Sequence, residues 1–490
     1  MSAVDKHALG PSPLLPPPPR STQGRMVKLD TVPHEILERI AFITATDSLV
    51  GPPSGLVSLL AANRQINGRL SFSSNLLLYA RIFAAKFDVG PTSRRFTDPA
   101  SPAILAHELI HRFRVLRRIR ARTDSDAKPR SAGDGDSVHD LLFQTYLMML
   151  ENAGKNEWQL RDYARMGDWL RGAVWPRTTT HIEQWPPHND HTSLAMWLFW
   201  FLLRPDDYLA DDDATWNVLN VLKIYALGAH KYPLTDPSWV NFLPQSPQHS
   251  TDAQRLRTPP LATPAILSFL TLVNLKAKVV DFSSPLSVPV KAEKNEWEYE
   301  LGRCISLSRQ EFDKGLTQSF RPGSVEGTWE GIFTYTEFTA YAALLQGAPP
   351  PILQKSVIVR HRQTWKLREH HFTSSGDSSP HPLSPGDPLR AYFPTGTHIS
   401  ESREGLEDII ITGEGHSAWG QFNLIGRVRP CDGFISLCKE YVDHDRGKWV
   451  YRGYLVGNVN GNLAGRWRDT LSPAAVPGYE GCFLMSRRRS

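Results

Sequence analysis

The sequence predicts an α+β multidomain protein: a three-helix module near the amino terminus, a helical middle region, and a C-terminal antiparallel β-barrel. Three observations predict it. Apolar residues recur at helical spacing from Leu29 to about Phe320. Near Gly327 the period changes to two, with β-branched and aromatic runs separated by turn residues. About eight or nine such runs, joined mainly by short turns, describe an up-and-down meander that rolls up to remove its edges. The expected segments are a proline-rich tail over 1–26, the first helical module over 27–90, the middle region over 91–323 and the barrel over 324–490.

Each element has its own signal. The run LLPPPPR at 14–20 favours an extended polyproline shape in a solvated tail, and it lacks an apolar core of signal-peptide length. In the first module Pro33 stands where a first-turn proline is tolerated, and Glu35 sits at the positive end of the helix dipole. Ile36, Leu37 and Ile40 then form one apolar stripe. After Gly51-Pro52-Pro53, a second helix carries Leu56, Leu59 and Leu60, with Asn63-Arg64-Gln65-Ile66 closing it. Asn75 is placed to cap a third helix bearing Leu77, Leu78, Tyr79, Ile82 and Phe83.

Helices follow over Ala103–Arg122, Val138–Leu150, Asn156–Arg171, Ser193–Leu203, Ala214–Leu227, Pro264–Val280 and Arg303–Ser319. Trp158, Tyr163, Trp169, Trp197, Trp200, Trp216 and Tyr225 recur on them, each bringing a large apolar area. The run SLAMWLFWFLL at Ser193–Leu203 is about half the ~20 residues that a membrane span needs, so it reads as a buried helix. Strands are expected at Gly327–Tyr335, Ser356–Phe372, Arg390–His398, Asp408–Ile411, Gly420–Arg429, Gly433–Val442, Lys448–Val456, Asn462–Arg468 and Gly481–Arg487. Pro430-Cys431-Asp432-Gly433, His444-Asp445-Arg446-Gly447 and Asn460-Gly461 supply hairpin turns.

The first module resembles the F-box, by which substrate receptors of SCF-type ubiquitin ligases grip a Skp-family adaptor. The resemblance rests on Leu-x-x-x-Pro-x-Glu-Ile-Leu at Leu29–Leu37, Leu-Leu-x-x-x-Arg at Leu59–Arg64, and Leu77 with Tyr79, in wording nearest to fungal F-box proteins. It covers about one eighth of the chain. The family often has Cys-Arg-x-Trp where this chain has Asn63-Arg64-Gln65-Ile66, and the Gly51–Gly55 connection is longer than usual. The resemblance implies adaptor contact through Leu29, Pro33, Ile36, Leu37, Ile40, Leu56, Leu59, Leu60, Arg64, Ile66, Leu70, Leu77, Tyr79 and Ile82. An adaptor-free helical bundle would show the same apolar stripes. Gly327-x-Trp329, echoed at Gly447-x-Trp449 and Gly465-x-Trp467, is similar to the strand-opening signature of lipocalin-like barrels.

Composition is that of an ordinary soluble protein, with 41% hydrophobic and 21% charged residues. The net charge of +5 is small for 490 residues and argues against wholesale nucleic-acid or membrane attraction. Cys304, Cys431, Cys438 and Cys482 form no C-x-x-C pair, which suits free thiols in the cytoplasm or nucleus.

Three constellations compete for chemistry. His107-Glu108-Leu109-Ile110-His111 is a literal H-E-x-x-H, which on a helix sets two imidazoles on one face for zinc. The cationic Arg112, Arg114, Arg117, Arg118, Arg120 and Arg122 that follow repel a divalent ion, and Arg117 stands where the metzincin extension has its third histidine. An amphipathic helix surface is the simpler account of both the motif and the basic run. His181, His188 and His191, with Glu183 and Asp190, fit no metal-ligand spacing.

The expectation is therefore a non-catalytic adaptor without cofactor or metal, docking on a Skp-family protein and through it a cullin scaffold, and holding a protein substrate on the barrel. Trp329, Arg360, Trp365, Trp419, Arg427, Trp449 and Trp467 are the expected substrate contacts, since Trp and Arg anchor interfaces, though many barrel tryptophans belong to the core. The alternative is a lipocalin-like barrel holding a small apolar or sugar ligand, with the first module making a non-ubiquitin contact; a zinc hydrolase is a distant third.

Overall fold

The computed structural model describes residues 29–90, 101–122, 137–171, 184–235, 258–277, 297–308, 323–356, 358–372, 408–429, 432–457, 461–473 and 476–488. The proline-rich tail, the expected strand at Arg390–His398, Cys431, His181 and Glu183 lie outside the described residues.

The first module holds four helices instead of the three expected: α1 (His34–Thr46), α2 (Ser54–Ala62), α3 (Arg64–Leu70) and α4 (Leu76–Lys86). Asn63 makes the difference. Its backbone is extended and its side chain accepts from Gln65 N–H, so it ends α2 and caps α3 where the sequence suggested one continuing helix. Asn75 caps α4 by accepting from Leu78 N–H, as expected.

The middle region comprises α5 (Pro102–Ala121), α6 (Ser137–Leu150), α7 (Lys155–Trp158), α8 (Met166–Trp169), α9 (Asp190–Phe201), α10 (Asp213–Leu227), α11 (Ala262–Ala277) and α12 (Glu298–Ser308). Asn156–Arg171 is not one helix: a π-turn over Gln159–Tyr163 and a left-handed Arg165 interrupt it. A capping box between Asn189 and Thr192 starts α9, whose residues from Thr192 to Phe201 are all buried, so the greasiest run of the chain is a core helix. Trp158 and Trp216 depart from expectation and stand largely exposed.

Polar stitches join the module to the middle region. Gln159 accepts from Gly51 N–H and donates to the Leu49 and Lys86 carbonyls, while Asp88 accepts from the Ala153 and Asn156 amides. Arg112 is 3% exposed, pairs with Glu151 and lies over the Phe83 and Phe87 rings. It therefore does not belong to the cationic surface the sequence suggested, which retains Arg114, Arg117, Arg120 and Arg122.

The C-terminal region is a closed barrel of eight antiparallel strands in sequence order: β1 (Gly327–Thr336), β2 (Ile358–Phe372), β3 (Asp408–Ser417), β4 (Gly420–Arg429), β5 (Phe434–Tyr441), β6 (Lys448–Val456), β7 (Asn462–Asp469) and β8 (Glu480–Arg487). Pairing of β1 with β8 closes the ring, setting Phe333 opposite Phe483. Two short helices unannounced by the sequence, α13 (Phe338–Leu345) and α14 (Pro351–Lys355), bridge β1 and β2.

The barrel has two kinds of wall. Outward residues of β1 and β5–β8, among them Ile332, Phe434, Ala464, Cys482 and Leu484, share one core with the helices. This is why β7 and β8 are buried along almost their whole length. β4, whose first half alternates between exposed and buried, shows the period of a half-solvated strand. Arg466 on β7 fastens the layers: its guanidinium donates to the Tyr225, Ala226 and Tyr232 carbonyls at and beyond the end of α10.

Candidate functional site

Period-two alternation sends Trp329, Phe333, Trp365, Leu437, Tyr451 and Phe483 into the barrel interior. At the end where β1 starts, Trp329 is fully buried, bonded through Nε1 to the Val325 carbonyl and covered by the Arg487 guanidinium 4.8 Å from its ring. Trp365 packs deeper, on Tyr451 and Phe483.

Toward the other end the interior opens into a cavity of about 220 Å³. Its walls are almost entirely aromatic: Phe333 and Tyr335 from β1, Tyr441 from β5, Trp449 and Tyr451 from β6, Trp467 from β7. Trp419, in the β3–β4 turn, and Tyr479, just before β8, complete it. Three of these rings are pinned at their polar edge, by Trp449 to the Arg446 carbonyl (2.9 Å), Trp467 to Thr334 (2.9 Å) and Tyr479 to Thr336 (2.6 Å). The polar atoms are thereby satisfied and the walls pre-formed. Glycine helps make room: a Cβ on Gly415, opposite Phe422 in the β3–β4 ladder, would lie 2.4 Å from that ring.

One wall position breaks the apolar pattern. On β5 the inward set is Ile435, Leu437, Lys439 and Tyr441, so a lysine occupies a core position. Lys439 is 1% exposed. Its Nζ lies 3.9 Å from the Phe422 ring centre, 4.8 Å from Tyr441 and 5.0 Å from Phe333. Among the described residues its sole hydrogen-bond partner is the Gln363 amide oxygen at 3.5 Å, the long limit for such a bond. Among the described residues no carboxylate pairs with it; the adjacent Glu440 bonds instead to Lys448 and His444. Burial lowers the amine to about 7, because the aromatic cage stabilises a cation far less than water does. At the rim His361 packs on Trp419 at 4.8 Å, and its buried Nε2 has no hydrogen-bond partner among the described residues.

The expected barrel contacts divide accordingly. Trp329, Trp365 and Trp467 are interior and cannot touch a folded protein. Arg427 is buried, and Arg360 donates to the Val273 carbonyl of α11. Trp419 and Trp449 remain partly exposed at the cavity mouth. Of the cavity wall, the sequence reading missed Phe333, Tyr335, Lys439, Tyr441, Tyr451 and Tyr479.

In the first module, Leu37, Leu56, Ile66, Leu70, Tyr79 and Ile82 lie in the chain's own core. They support a docking face without forming it. Leu29, Pro33, Ile36, Arg64 and Leu77 are exposed, and Ile40, Leu59 and Leu60 are half-buried. On α1 the buried Leu37, Ala41 and Ala45 back a solvent-facing row of Ile36, Ile40 and Ile43. Val57 on α2 (59% exposed) and Leu77 on α4 (57%) are likewise uncovered.

Two of the H-E-x-x-H residues are otherwise engaged: Glu108 accepts from Arg112 at 3.2 Å, and the His107 ring meets Phe72 edge-on at 5.0 Å. Among the described residues no three potential metal ligands gather, and Cys304, Cys438 and Cys482 are buried thiols outside any disulfide. No described helix is long and apolar enough to cross a membrane. No family model, curated protein or solved structure matches the chain.

Proposed function

We propose that this protein is a non-catalytic substrate receptor, docking through its first module on a Skp-family adaptor and thereby on a cullin scaffold, with recognition at the open end of the barrel. The observation that carries the reading is the set of exposed aliphatic residues Leu29, Ile36, Ile43, Val57 and Leu77, on the segment that resembles an F-box. Exposed aliphatics clustered on one small module mark a surface that another molecule covers. On the barrel, recognition falls to the mouth residues Trp419 and Trp449, because the other expected tryptophans are sealed inside.

The test is co-purification of the full chain with a Skp-family adaptor. Ile36→Asp and Leu77→Asp each place a charge on the proposed face without entering the core, and each is expected to weaken the complex by about tenfold or more. Val442→Asp, at an exposed apolar site on the barrel, is expected to leave it unchanged. Adaptor binding that survives both module substitutions, or that is absent from the unaltered chain, overturns the proposal.

A further inference from the structure

The barrel cavity goes beyond adaptor docking and does not depend on it. We propose that it binds a small aryl carboxylate, a flat organic monoanion of one or two fused rings, with its carboxylate seated on Lys439 Nζ and its ring among the mouth aromatics.

Three features select this class. The first is size: an apolar cavity of about 150 Å³ holds one benzene molecule, so about 220 Å³ admits a second fused ring or a short side arm but not a long acyl chain. The second is the wall, whose pinned Trp449, Trp467 and Tyr479 offer faces and edges suited to a flat ring at little ordering cost. The third is charge. The one cation lining the cavity has no carboxylate partner among the described residues, and a buried ion lacking a counter-ion is costly. A ligand carboxylate supplies that counter-ion.

The same features disfavour other ligands. A phosphate dianion needs several donors and finds a single ammonium in an apolar cage. A cationic ligand meets Lys439 directly. A neutral sugar would leave its hydroxyls against aromatic walls with few acceptors.

The experiment uses the full chain without adaptor, with 2-naphthoate as probe and 2-naphthamide as its neutral counterpart, read by calorimetry and tryptophan quenching. The unaltered chain is expected to prefer the naphthoate by about tenfold or more. Lys439→Met, confirmed folded by its melting curve, is expected to lose that preference and to keep or gain affinity for the amide. Trp449→Ala is expected to weaken both ligands, and Ile36→Asp neither. Absence of naphthoate binding, equal affinity for the two ligands, or an unchanged preference in Lys439→Met overturns the inference. The Ile36→Asp arm separates this outcome from failure of adaptor docking.

Discussion

Replacing Lys439 by Met should make the protein more stable, and by an amount that depends on pH. A free lysine amine titrates near 10.5, and this one is lowered to about 7 by burial. At roughly 1.4 kcal/mol per tenfold, that difference corresponds to about 5 kcal/mol, and relaxation around the charge reduces the expected gain to about 2–4 kcal/mol near pH 7. Between about pH 7 and 10.5 the unfolded chain holds a proton that the folded chain has released. Stability of the unaltered protein therefore rises with pH across that window, and the advantage of Lys439→Met shrinks as pH increases. Below about 7 both states are protonated and the advantage stays at its maximum.

No neighbour reverses this sign. Gln363 is neutral, and burial pushes the Tyr441 and Tyr451 hydroxyls upward, so they stay protonated through the lower part of the range. His361 at the rim is lowered by burial and is neutral at pH 7 and above. Met is close to lysine in volume and fills the same slot among Phe422, Tyr441 and Phe333, which avoids a cavity cost. Calorimetric melting of both proteins at pH 6.5, 8 and 9.5 is the assay. A variant melting at or below the unaltered protein throughout, or an advantage that grows with pH, would refute the reasoning.

Two further substitutions probe how the layers are held. Arg112→Met removes the cation that pairs with the buried Glu151 carboxylate and should cost about 3–5 kcal/mol in urea unfolding, much of it recovered when Glu151→Leu is added; equal losses in the single and double variants would count against the ion-pair account. Arg466→Met removes the guanidinium donors from the Tyr225, Ala226 and Tyr232 carbonyls, leaving Ala226 only the Cys482 thiol among the described residues, and should raise amide hydrogen exchange around residues 224–232 while leaving the β3–β4 hairpin unchanged; exchange altered equally in both places would mean that Arg466 supports the barrel itself and not its seam with α10.

The strands were most legible where β-branched and aromatic residues run between turn signals: β4 and β6 appeared at full length and β7 and β8 to within one residue, whereas β3, expected to end at Ile411, runs on to Ser417 through Gly413, Glu414 and Gly415, residue types that announce no strand. The break at Asn63 was harder, since Leu59, Leu60 and Ile66 continue the apolar period across it and only a side-chain cap to Gln65 ends the helix. Propensity could not reveal the π-turn at Gln159–Tyr163, where Gln159 faces inward to serve the Gly51, Leu49 and Lys86 backbones. Lys439 was present in the alternation Ile435, Leu437, Lys439, Tyr441. Recognising its inward face required knowing which side of β5 closes the barrel, because both sides are buried. The tryptophans misled for a related reason: Trp329 and Trp365 carry the chemistry of interface anchors, yet register places them opposite each other inside the ring.

The pairing of β1 with β8 has a consequence for synthesis. Thr334 and Cys482 bond across the seam although 148 residues separate them. At about 5–20 residues per second, the ribosome delivers the second partner on the order of ten seconds after the first. In that interval the nascent sheet has an unpaired flank, and the helical surface that later meets Ala464, Cys482 and Leu484 stays bare. A chain released before Glu480 would keep both hazards permanently, so premature termination should yield sticky, chaperone-dependent fragments instead of a slightly shortened protein.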